Sequence, residues 1–232
     1  MTCLIGIDCA TQPRKVGLAR GYLEGGVVLV DQCLCGGLNA DPAQVVADWL
    51  ADSHSALLAL DAPLGWACAL GSSLISHQAG VEFDVPPDSL FRRLTDNHIA
   101  AKLGKRPLEV GANLISRTSV AAVDLLGKIR SITGESIPLA WSWPQASRVS
   151  AIEVYPAATR IAHGSPAGSG QVDGLSSLRC DLDLDSLSVD ARDSLVCLVA
   201  AADFILGRAI PPIAVDQQIL QEGWIWAASR GS

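Results

Sequence analysis

The chain reads as an α/β protein: a mixed five-stranded sheet in the order 3-2-1-4-5, flanked by helices, with a helical insert between strands four and five. Three observations predict this. Apolar runs of strand length stop at aspartates in "LIGIDCA" and "LLALDAPLG"; two β-prone runs surround Gly25-Gly26; and stretches of helical periodicity separate the later runs.

Residues 3–8 read as a buried strand, an apolar run around Gly6 that stops at Asp8, as expected of a strand covered on both faces. "KVGLARGYLE", Gly25-Gly26 and "VVLVDQCL" then read as a hairpin. Asp41 is an N-cap with Pro42 at the first helical position, followed by Val45, Val46, Trp49 and Leu50 at helical spacing. "ALLALD" is the next buried strand. From 65 to 145 the pattern is helical, in "WACALGSSLISHQ", "DSLFRRLTDNHIAAKLG" and "NLISRTSVAAVDLLGKIR". In the last of these, Leu114, Thr118, Ala121, Leu125 and Ile129 form one stripe. "SAIEVYP" is the third core strand, "SVDARDSLVCLVAAADFILG" a long helix from Ser188 to Gly207, and "EGWIWAA" a short final strand. The whole, 1–232, is one domain carrying the insert 65–145.

This topology carries a consequence for ligands. With the hairpin on one side of strand one and two later parallel strands on the other, chain connectivity reverses between strand one and the strand ending at Asp61. Open α/β sheets bind ligands at the carboxyl ends of strands flanking such a point. Asp8 and Asp61 lie there, and Glu153 joins the same rim if its strand is the next neighbour. Asp190 and Asp193, three residues apart, share a face of the last long helix. Converging carboxylates repel, and a divalent cation relieves that repulsion; oxygen-only donors select Mg²⁺ or Mn²⁺. Taken singly, the helix aspartates complement the helix dipole and Asp61 suits a turn. Asp8, ending a buried strand, needs partners.

Composition narrows the field. At 232 residues and 24.2 kDa the chain can bury a large core, and a net charge of −7 is unlike that of proteins that grip long stretches of duplex. Basic residues gather in the insert as Arg92, Arg93, Lys102, Lys105 and Arg106. These suit either local phosphate contacts or a solvated face paired with Asp96 and Glu109. Trp141 and Trp143 suit either base stacking or a plug against the core. The seven cysteines have no disulfide or zinc spacing, and the four histidines form no ligand pattern. No signal-peptide pattern is present, and the apolar stretch Leu195 to Ala202 is too short to span a bilayer, so a soluble, cytoplasmic protein is expected.

Together "GIDCA", "LDAPLG", "FRRLTD", "GKRPLEVGAN", "IEVYPAA", "DARDSLVCLVAA" and "EGWI" resemble the domain of unknown function 429 family, over nearly the whole chain. Its members are described as predicted nucleases with an RNase H-like fold. The resemblance implies metal-dependent hydrolysis of RNA or DNA with Mg²⁺ or Mn²⁺, with metal ligands Asp8, Asp61 and Asp193 and either Asp190 or Glu153 completing the set. In such a nuclease Glu153 would orient a ligand water or accept a proton, and Arg92, Arg93, Lys105 and Arg106 would be the phosphate contacts; Asn113 and Arg117 are substrate candidates only through their match to the family stretch. Holliday-junction resolvases look similar in the spacing of their two helix aspartates. Two other classes stand beside this. An actin-like nucleotide-binding ATPase needs two copies of the sheet and glycine-rich loops, where this chain has one copy. A non-catalytic interaction module keeps the fold and suits the acidic surface.

Overall fold

A computed structural model of the chain describes residues 2–37, 40–111 and 113–231, and the side chains of Asn113 and Leu114 lie outside that description. The expected contacts of Asn113 therefore fall outside the described residues. The sheet has six strands rather than five, ordered β5-β4-β1-β2-β3-β6, so the order departs from 3-2-1-4-5 by one further strand outside β3. β1 (Cys3–Asp8) pairs antiparallel with β2 (Gly17–Glu24), which pairs antiparallel with β3 (Val27–Cys35). On its other side β1 runs parallel to β4 (Ala56–Asp61), and β4 parallel to β5 (Val149–Glu153). The additional strand, β6 (Leu178–Arg179), lies parallel to the outer edge of β3 through Val28 and Leu29. A two-residue strand leaves no periodicity in the sequence, but it occupies part of an edge that would otherwise present unpaired backbone groups.

The hairpin between β2 and β3 turns through Gly25 and Gly26, both at positive φ (57° and 84°), the conformation that a right-twisted two-residue hairpin demands. Helix α1 (Pro42–Ala51) starts as expected, with the Asp41 carboxylate accepting from the Ala43 N–H at 3.1 Å. The insert supplies α2 (Cys68–Leu74), α3 (Pro87–Phe91), α4 (Leu94–Leu103) and α5 (Asn113–Thr133). In α5 the buried line is Ser119, Ala122, Leu126 and Ile129, one position round from the expected stripe. Packing against α1 selects that line, because it completes the apolar layer under Ile5, Ile7 and Leu58.

After β5 come α6 (Pro156–Ala162), α7 (Val189–Ile205) and α8 (Gln217–Glu222). The expected final strand does not form. The segment instead touches its neighbours through single bridges, Glu153 to Ile225 and Ala209 to Ala228. Trp141 and Trp143 pack against the core beside α7.

The sheet is thus sandwiched: α1 and α5 cover one face, α7 the other. Alternation along the strands sorts side chains between the two layers. Ile5, Ile7, Leu58 and Leu60 face α1 and α5, while Leu4, Leu57 and Ala59 face α7. Two glycines bring α7 close. A Cβ on Gly6 would sit 2.1 Å from the Ser194 carbonyl oxygen, and one on Gly17 would sit 1.9 Å from that of Asp190. The first turns of α7 therefore rest on the backbone of β1 and β2, beside Asp8. Among the described residues, no helix is long and apolar enough to cross a membrane.

Candidate metal centre at the ends of two parallel strands

Asp8 and Asp61 are register partners in the parallel pair β1–β4. By strand alternation both belong to the α7 face, following Leu4 and Gly6 in one strand and Leu57 and Ala59 in the other. Each is half-buried, and among the described residues neither makes a hydrogen bond or an ion pair. Burial, then Asp61, Asp193 and Asp190, push the Asp8 carboxyl up to about 9, against a weaker downward pull from Arg160. Burial, then Asp193 and more weakly Glu153, push Asp61 up to about 8, with Arg160 again opposing. Burial and mutual repulsion thus disfavour the charged form at both strand ends, and a bound cation would relieve that cost.

Asp193 is brought to the same place but is not free. Its Oδ1 accepts from Arg160 Nη2 and, at 2.6 Å, from the Gly170 N–H. Arg160 is 1% exposed and also donates through Nε to the Gln171 carbonyl at 2.6 Å. One oxygen of Asp193 is thus anchored from behind. Asp190, partly exposed in the first turn of α7, adds charge that Asp8 feels. Among the described residues, no three His, Cys, Asp or Glu side chains are gathered closely enough to make a ready metal shell. The residues fit a hard cation in donor chemistry, with two carboxylates in register and without partners and a third anchored through one oxygen. Cys9, beside them, is held as a neutral thiol by its burial and by Asp61 and Asp8, and so offers no soft thiolate ligand.

Glu153 is placed otherwise, and the expectation of a free catalytic carboxylate meets a correction. Its register partner is Leu60, which faces α1 and α5, so alternation puts it on the opposite face of the sheet from Asp8 and Asp61, although it lines the same cavity beyond the strand ends. Both its oxygens are taken: Arg93 Nη2 donates to Oε1 at 2.7 Å and Nη1 to Oε2 at 2.9 Å, and the Leu64 N–H also reaches Oε2 at 2.9 Å. Burial raises the Glu153 carboxyl while Arg93 pulls it back. Arg93, expected at the substrate, is 0% exposed and cannot meet a phosphate. It also pairs with Asp96 at 2.9 Å and donates to the Glu222 carbonyl at 3.0 Å. Arg92 is engaged by Glu109 at 2.6 Å and Asp88 at 3.2 Å. Lys102, Lys105 and Arg106 are exposed and, among the described residues, have no ion-pair partner. Arg117 is exposed on α5.

A cavity of about 240 Å³ opens beside Asp8 and Asp61. Two residues of this site escaped sequence reading, Arg160 and Tyr155. Arg160 left one signal, a lone arginine in the short apolar helix "PAATRIA". Tyr155, lining the cavity, has its phenol pushed up to about 12 by burial and by Asp61.

No protein-family model matches the chain, and no curated protein is significantly similar to it, so the motif resemblance to the domain of unknown function 429 family stands without a matching model. Among solved structures, T. thermophilus RuvC in complex with Holliday junction substrate is similar at 11% identity and a TM-score of 0.37, covering 91% of this chain and 100% of that one. A likeness of this size carries no weight for fold family or activity, which must rest on the chain's own residues.

Proposed function

We propose that the chain is a metal-dependent nuclease with an RNase H-like fold, hydrolysing phosphodiester bonds of RNA or DNA with Mg²⁺ or Mn²⁺. The observation that carries this is the Asp8–Asp61 pair: two register-matched, half-buried carboxylates without hydrogen-bond or ion-pair partners among the described residues. Leaving such charges uncompensated is costly unless a cation completes them. Asp8, Asp61 and the unanchored oxygen of Asp193 would hold the ion, with Asp190 as the remaining donor. When bound, the ion would activate a water and stabilise the leaving oxygen. Arg160 fixes Asp193, and Glu153 acts at one remove by holding Arg93 and the insert against the rim. Lys105 and Arg106 meet phosphates. The direct test is Mn²⁺ binding by electron paramagnetic resonance together with cleavage of labelled RNA and DNA. Saturable binding and cleavage, both lost in Asp8→Asn, are expected; a wild-type protein that takes up no Mn²⁺ overturns the reading.

A second reading has one observation in its favour. Arg160 already supplies a buried positive charge to Asp193, which suits a non-catalytic protein that keeps the fold without a metal. That reading predicts no Mn²⁺ uptake.

A further inference from the structure

The cavity beside Asp8 and Asp61 has a composition that the metal chemistry does not use. At about 240 Å³ it falls below the about 300–1,000 Å³ typical of pockets enclosing larger ligands, so it has room for about one ring system. Most of its wall is apolar: Pro63 beyond β4, Pro107 and Leu108 from the α4–α5 connection, Ile115 from α5, Tyr155 before α6, and Ile225; the Arg93–Glu153 pair closes one side, with the charges matched to each other. Five separate parts of the chain thus converge to set an apolar wall against Asp8 and Asp61. Immediately before Pro107 stand Lys105 and Arg106, exposed and without ion-pair partners among the described residues. The chain as a whole carries a charge of −7.

We infer that this cavity receives a single unstacked nucleobase, so that the substrate is a single strand or a frayed end and not the interior of a duplex. The inference rests on the phosphodiesterase reading above. A base within a duplex is covered on both faces by its neighbours and must leave the stack to enter such a pocket. An apolar wall holds any base by its face, which makes recognition tolerant of sequence. Two local cations suffice for the one or two phosphates next to a bound base. A duplex-binding surface would need many more, and the acidic balance of the chain opposes it.

The test is fluorescence anisotropy of a labelled phosphorothioate single strand, resistant to cleavage, against a blunt duplex of the same sequence, with Mn²⁺ present. The single strand is expected to bind at least about tenfold more tightly. Its log affinity should fall against log salt with a slope of about −1.4, as two phosphate contacts on a single strand give. Leu108 is 69% exposed, so Leu108→Gln should fold normally while weakening single-strand binding about five- to tenfold. Equal or tighter binding of the duplex, or single-strand binding unmoved by Leu108→Gln, overturns the inference. Mn²⁺ binding measured on the same samples separates it from its premise. Single-strand preference without Mn²⁺ uptake keeps the base pocket and overturns the metal reading. Mn²⁺ uptake with duplex preference does the reverse.

Discussion

Three neighbouring strands of this sheet end in a carboxylate, and the surroundings of one differ from those of the other two. At the end of β5, Glu153 faces a guanidinium that matches it oxygen for nitrogen, and Arg93 is in turn shared with Asp96 and the Glu222 carbonyl. At the ends of β1 and β4, Asp8 and Asp61 face each other and the carboxylates of α7, and only Arg160, committed to Asp193, moderates them. The first arrangement is complete and needs nothing from solvent. The second is a cluster of carboxyls whose charged form burial and mutual repulsion disfavour. A carboxylate at a strand end therefore says little by itself; its hydrogen-bond accounting separates a structural tie from a site.

Several measurements can break or sharpen this contrast. The largest effect is expected from Arg93→Met, which strands Glu153 and Asp96 in the interior. Removing one partner of a buried pair costs about 3–5 kcal/mol, to be read as a lowered urea midpoint. Asp8→Asn should do the opposite to the metal-free protein, raising that midpoint by relieving repulsion. It should also cost more in Mn²⁺ affinity than the about 10–100-fold typical of losing an outer-shell partner. If Asp8→Asn destabilised the protein and Arg93→Met did not, the contrast drawn between the strand ends would fail.

Gly17→Ala comes next. The new methyl would meet the Asp190 carbonyl, so α7 must shift at its first turn, at a cost of about 1–3 kcal/mol. Mn²⁺ affinity should fall with it, because the shift moves Asp190 and Asp193 away from Asp8. An unchanged affinity would show that the helix carboxylates take no part.

The pH dependence of stability reads the same pair of aspartates. Asp8 and Asp61 have folded pKa values of about 9 and about 8, above the ordinary 3.8, so the folded metal-free protein holds protons that the unfolded chain releases. Their stabilising contribution is complete below the unfolded value and is lost as pH rises through 8 and then 9. In chelator, the urea midpoint of wild type should fall with rising pH more steeply than that of the Asp8→Asn/Asp61→Asn double variant. Parallel curves would remove the basis for this titration.

Much of the fold was legible because its signals are local. The Gly25-Gly26 turn, the Asp41-Pro42 cap and the Ser188 cap depend on neighbouring residues, and the apolar runs of β1 and β4 end where the sequence places their aspartates. Strand β6 was too short to read, and the α5 stripe was displaced because α1 and the sheet, not the helix alone, choose its buried face. At the rim the limit was alternation. Both faces of β5 are apolar, so nothing in "SAIEVYP" shows that Glu153 turns toward the insert while Asp8 and Asp61 turn toward α7. The partnership of Arg93 with Glu153 spans sixty residues of sequence, and that of Arg160 with Asp193 thirty-three.

By itself the sequence determined which residue types end the core strands, where the hairpin turns and the capped helices start, and that a run of acidic groups recurs in an otherwise apolar chain. These follow from backbone geometry and hydrophobic periodicity, which act over a few residues. Only the tertiary structure decided which carboxylates share a face, which are neutralised by a buried arginine, and which remain without a partner. Those outcomes depend on register, on two glycines that let α7 touch the sheet, and on charges meeting across long stretches of chain. Electrostatic pairing is set by distance in space, and no local pattern in a sequence encodes that distance.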